Sequence, residues 1–225
     1  MVLLFHSMIG IAVSDEHGHA VPALVPVDSL LTAVMAPAEL RVADALMRCV
    51  GRWGLAKTTI PDIAREAGVS RATVYRLFPG GRSSILYTAV RVEVQRLLAL
   101  LTAEAAEADS LEDCLVQGMH HAAVFLESNA ALTYLRDHER AELDQVLSFE
   151  RMDVLYVVSG AVTAPVFERF LAPEDAMAAG TWAARLVVSY LAEPADDVDL
   201  CDADDVRTIV RRFMLPGLTR AAFHP

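Results

Sequence analysis

Cysteine is scarce: Cys49, Cys114 and Cys201 are the only three in 225 residues, widely spaced and without a C-x-x-C pair. That argues against a disulfide framework or a zinc knuckle and fits a reducing, cytoplasmic compartment. No apolar run reaches the roughly 18 residues that would cross a bilayer, so no membrane partner is expected. Strand-like alternation is rare too. Helix formers dominate a chain that is 54% hydrophobic, and the expected fold is all-α. G-x-S-x-G, Walker, H-E-x-x-H and dinucleotide signatures are all missing, and no acid is paired against a nucleophile. Neither enzyme activity nor a cofactor is expected.

What is present divides the chain by charge. The net charge of −11 suits a nucleic-acid partner poorly until it is split. Residues 37–96 hold ten Lys and Arg against five Asp and Glu, whereas residues 97–225 hold nine against twenty-two. A basic module beside an acidic one would bind DNA at one end and repel it elsewhere. For the acidic part, a plain solubility role serves equally well.

The most ordered signal is the stretch TTIPDIAREAGVSRATVYRLFPGGR from Thr58 to Arg82. Thr59 stands at an N-cap position with Asp62 in the acidic slot of a capping box, and Pro61 lies in the first turn, where a helix tolerates it. Ile63, Ala64 and Ala67 share a face, and Gly68 supplies the reversal that ends this helix. Ser70 caps a second helix, whose Val74 points back to the core with Val69. Phe78-Pro79-Gly80-Gly81 closes the unit. Two short helices joined through Gly follow the helix-turn-helix plan. With the apolar residues inward, Arg71, Ala72, Thr73, Tyr75 and Arg76 face solvent, a surface suited to a DNA major groove.

At these residues the chain resembles the TetR family of bacterial transcriptional regulators. The pattern T-x-x-x-I-A-x-x-A-G-V-S-x-x-T-x-Y-x-x-F-P is met at every fixed position from Thr59 to Pro79. The resemblance covers about a quarter of the chain. It implies a homodimer that binds a palindromic double-stranded DNA operator and is released by a small, apolar ligand. Arg71 and Thr73 are the expected base contacts, and Thr59, Ser70, Tyr75 and Arg82 the expected phosphate contacts, with Ala72 at the surface and Arg76 suited to either. The family's Lys after F-P-x is absent here. Gly81 takes that position, and the Gly80-Gly81 amides with Arg82 would serve phosphate instead.

Around this motif the expected organisation is an N-terminal extension over 1–36, a DNA-binding domain over 37–82, and a ligand-binding and dimerisation domain over 83–225. The extension has no helical period beyond a weak stretch at Ser29–Met35, and no basic n-region of a signal peptide. It is expected to be disordered, with Met35 as a possible natural start. His17 and His19 flank Gly18 without a third ligand, so no metal is expected. Pro37–Trp53 is a helix with Trp53 inward, and a long helix spans 83–107 with Val90 inward. Further helices are expected at Leu111–Ser128, Asn129–His138, Ala141–Leu147, Glu150–Phe170 (broken or kinked at Pro165), Pro173–Leu191 and Asp204–Phe213, the last ended by Leu215-Pro216-Gly217.

In the C-terminal part, His120, Phe125, Tyr134, Met152 and Tyr156 are either core residues or, as the resemblance implies, the lining of a ligand cavity. Adjacent His120 and His121 point about 100° apart and share a metal poorly. Arg136-Asp137-His138-Glu139-Arg140 reads as a solvated junction. The last helices carry Met177, Leu186, Val187, Tyr190, Ile209 and Phe213, more apolar surface than one monomer covers, and these are the expected dimer residues. The rival reading is a small-molecule sensor or carrier with a vestigial DNA-binding head.

Overall fold

The computed structural model describes residues 35–105, 107–146 and 149–221, side chains 104–105, 145–146, 149–154 and 219–221 excepted. The expectations for residues 1–34 lie outside the described residues, and so does the side chain of Met152. The described chain is built from helices: α1 (Pro37–Trp53), α2 (Ile60–Ala67), α3 (Arg71–Leu77), α4 (Gly81–Ala105), α5 (Leu111–Glu127), α6 (Ala130–His138), α7 (Arg140–Val146), α8 (Phe149–Phe167), α9 (Pro173–Ala192), α10 (Ala203–Ile209) and α11 (Leu215–Ala221). A π turn at Val210–Met214 joins the last two. No strand occurs among the described residues; a single bridge pairs Ala195 with Val198.

Local chemistry accounts for most of the boundaries. α1 starts with Pro37 in its first turn and Glu39 reaching back to the Ala36 N–H at 3.0 Å. α5 is capped by Ser110, which accepts from the Asp113 N–H, and α6 by Asn129, which accepts from Ala131 and Leu132. Pro165 lies inside α8 without breaking it. Its missing N–H removes one intrahelical bond, to the carbonyl of Ala161 four residues back, and the helix ends two residues further on.

The Leu215-Pro216-Gly217 stop is also overturned. The Leu215 N–H donates to the carbonyl of Val210, five residues back, and this wider turn lets the helix continue into α11 despite Pro216.

Two hydrophobic clusters hold the chain. The first joins α1 to α4 through Leu46, Ile63, Val74, Phe78 and Ile85, and takes in Ala131 and Leu135 of α6 and Leu143 of α7. The second packs Leu115, Met119, Phe167, Ala179 and Val206 among α5, α8, α9 and α10. A fully buried Leu or Ile contributes roughly 1.5–3 kcal/mol, so each cluster is a substantial source of stability.

α8 and α9 approach closely. A Cβ on Gly160 would lie 2.7 Å from the carbonyl oxygen of Met177, and one on Gly180 would lie 3.1 Å from the Gly160 Cα. Thr163 and Thr181 flank that contact with their hydroxyls turned to Ser159 and Met177 carbonyls of their own helices.

Candidate nucleic-acid interface

The helix-turn-helix begins at Thr59. Its hydroxyl is bonded to Asp62, whose carboxylate also accepts from the Thr59 N–H at 3.3 Å, and Asp62 holds Arg65 at 2.6 Å. The hydroxyl bond to Thr59, with Arg65 beside it, keeps the Asp62 carboxyl below its ordinary range. Gly68 sits at φ +66° and returns its N–H to α2, a left-handed conformation that costs a residue with Cβ about 1–2 kcal/mol. Arg48 and Arg52 of α1 both hold Glu66 of α2, at 2.6 and 3.1 Å. The Arg48 bond draws the Glu66 carboxyl down.

α3 is fixed at its start by Ser70, which accepts the Thr73 N–H at 3.1 Å, and along its inner face by Val74, which is wholly buried. Arg71, Ala72, Tyr75 and Arg76 are exposed, Tyr75 by 56%. No ion pair among the described residues engages Arg71 or Arg76. Thr73 is half-buried, and its hydroxyl stands 2.9 Å from that of Ser70, so the two act as one polar unit. The face therefore offers two uncommitted guanidinium groups, a phenol and a small central surface. That combination can donate to phosphate and to base edges together.

Arg82 has work that sequence reasoning missed. Its Nη1 donates to the carbonyls of Leu55 at 2.9 Å and Thr58 at 3.3 Å, tying the start of α4 to the loop after α1.

The other expected site residues scatter. The Tyr134 ring lies against Gly54 at the end of α1 and meets the His138 ring edge-on at 4.7 Å. His120 and Phe125 are half-buried on α5, and the Nδ1 of His120 is buried without a hydrogen-bond partner among the described residues. Tyr156 is buried beneath the Arg185 guanidinium, 4.3 Å from its ring centre. Val187 and Ile209, expected at a dimer interface, belong instead to the chain's own second cluster, where each is buried. Met177, Leu186 and Tyr190 are half-buried against the same cluster.

Phe213 is 67% exposed, and with it Trp182 of α9 at 62%, a residue the helical stripe did not single out. Trp53 and Val90, expected inside, are each 38% exposed.

Comparison with known proteins agrees with this geometry. A family model described as "Bacterial regulatory proteins, tetR family" matches residues 42–82. An uncharacterized HTH-type transcriptional regulator of Mycobacterium tuberculosis is 49% identical over 43 residues, and so is one of Mycobacterium bovis. That stretch is 19% of this chain and spans only 23% of those relatives' length.

Among solved structures, the TetR family repressor AlkX from a Dietzia strain, implicated in biodegradation of n-alkanes, superposes with a TM-score of 0.63 at 18% identity, over 84% of this chain and 98% of that one. The fatty acid degradation regulator FadR from Bacillus halodurans gives 0.57 at 16%, over 81% and 99%. These likenesses extend the shared fold through the C-terminal helices. The head, residues 42–82, matches the TetR family model, and the all-α fold behind it is shared with these solved structures.

Proposed function

We propose that the chain is a transcriptional regulator that binds a palindromic operator as a homodimer and leaves it when a small, apolar molecule enters the C-terminal body. The observation that carries this reading is the outer face of α3, where Arg71, Ala72, Tyr75 and Arg76 stand exposed on the basic half of the chain. In this reading Arg71 and Thr73 meet base edges, while Thr59, Ser70, Tyr75 and Arg82 set register on phosphates. Two copies of α3 enter successive major grooves about 34–36 Å apart.

The dimer forms through α9 and the π turn, where Trp182 and Phe213 expose apolar surface. The ligand contacts are His120, Phe125, Met152 and Tyr156; the names of AlkX and FadR, which speak of n-alkanes and fatty acids, support an apolar ligand class. Release requires that the ligand bind the DNA-free state better, by a coupling of about 1–3 kcal/mol. Footprinting the purified protein on DNA flanking its own gene tests the proposal. A protected, two-fold symmetric site is expected; unprotected DNA would contradict it.

A further inference from the structure

The α1–α2 loop, residues 54–58, is held from two directions. On one side the Glu139 carboxylate, from the junction of α6 and α7, accepts the Leu55 N–H at 2.7 Å and the Ala56 N–H at 3.3 Å. On the other side Arg82 donates to the carbonyls of Leu55 and Thr58. Within the loop, the hydroxyl of Thr58, 1% exposed, donates to the Gly54 carbonyl at 2.6 Å.

Close approach depends on Gly54. It lies at φ +83°, and a Cβ there would stand 2.3 Å from Glu139 Oε1 and 2.7 Å from the Tyr134 ring. The far end of α6 is also tied to α1. Gly51 packs on Ala130, and Asn129 donates to Glu93, which with Asp44 of α1 holds Arg96. α6 therefore straps the head along its length, and Glu139 at its end reaches the main-chain N–H groups of the loop leading into the helix-turn-helix, whose carbonyls Arg82 holds from the other side.

We infer that Glu139 is a positioning residue for DNA binding, setting the angle at which the head is presented. The inference rests on the regulator reading above. Glu139 touches neither α2 nor α3 among the contacts described. α3 keeps its own cap from Ser70 and its own anchor in Val74, so losing the carboxylate leaves the reading surface intact and frees its orientation. What each head reads should survive; the distance between two heads should not.

Selection of binding sites from a random DNA pool by wild type, E139A and E139Q separates these roles. Wild type should enrich paired half-sites at a single spacing. E139A should enrich the same half-site at several spacings and bind the wild-type site about five- to thirtyfold more weakly, the range for one or two lost hydrogen bonds. E139Q keeps a carbonyl oxygen for the Leu55 N–H and should restore the single spacing.

Amide hydrogen exchange should quicken at Leu55 and Ala56 in E139A and stay unchanged through α3. If E139A retains wild-type spacing and affinity, or if its α3 amides also exchange faster, the positioning role is overturned while the regulator reading stands. If wild type itself enriches no site, both fall.

Discussion

Ser70 and Thr73 stand 2.9 Å apart, hydroxyl to hydroxyl, across the first turn of α3, and Ser70 also accepts the Thr73 N–H. One side chain thus both starts the helix and orients a neighbour that faces DNA in the proposed reading. Ser70→Ala should destabilise the head by about 1 kcal/mol through the lost cap, and should weaken DNA binding beyond that by releasing the Thr73 hydroxyl. Urea denaturation and a DNA titration of the same variant measure the two effects separately.

Arg71 and Tyr75 should divide base reading from backbone anchoring. Arg71→Ala should cost roughly 1–3 kcal/mol at the preferred site and flatten its preference over altered sites. Tyr75→Phe should weaken all sequences by a similar factor. Competition binding with single-base operator variants distinguishes these patterns, and an unchanged preference in Arg71→Ala would remove that residue from base contact.

The contact between α8 and α9 leaves no room for a methyl group. Gly160→Ala would push a Cβ against the Met177 carbonyl at 2.7 Å, an atom of backbone that moves only if the helices separate. A loss of roughly 1–3 kcal/mol is expected from such overpacking, seen as a lower denaturant midpoint. Gly118, which has open space at its Cβ position, should accept Ala without such a loss and serves as the control.

Phe213 and Val187 should respond in opposite ways to an introduced charge. Phe213→Asp, at a 67% exposed position, should leave a folded chain that sediments as a monomer. Val187→Asp, at a position 5% exposed, should unfold the second cluster instead. A Phe213→Asp chain that remains dimeric would move the interface elsewhere.

Acid should loosen the head. The Asp62 and Glu66 carboxyls are held below their ordinary values of 3.8 and 4.5, so the folded head favours their charged forms. Their contribution is complete above those ordinary values and is lost as pH falls through the lowered ones. Both groups are half-buried at the surface and within reach of solvent, so the effect is modest. Glu66→Gln should reduce the slope of stability against pH below its ordinary value of 4.5, measured by urea midpoints.

The helix-turn-helix was legible in the sequence because its signals are local. Thr59 with Asp62, Pro61, Gly68 and Ser70 each act within a turn of their own position, and the α1 bounds followed from Pro37 and Gly54 in the same way. What escaped the sequence depends on distant partners. Glu139 reads as one member of a solvated charge run until the fold brings it 84 positions back in the chain to Leu55. Arg82 follows the F-P-G-G turn like a phosphate ligand, yet its nearest acceptors are carbonyls of the α1–α2 loop. Val187 and Trp182 lie on one apolar helix, and only packing decides that the first turns inward and the second outward. Pro216 signals a stop, but a π turn absorbs it.

A head that sets its register on phosphates must displace counterions when it binds DNA. Titrating the protein onto an operator fragment from about 50 to 200 mM salt tests it most directly. The logarithm of affinity should fall linearly and steeply with the logarithm of salt, and the slope should become shallower in Arg76→Ala. A flat response in the wild-type protein would contradict it.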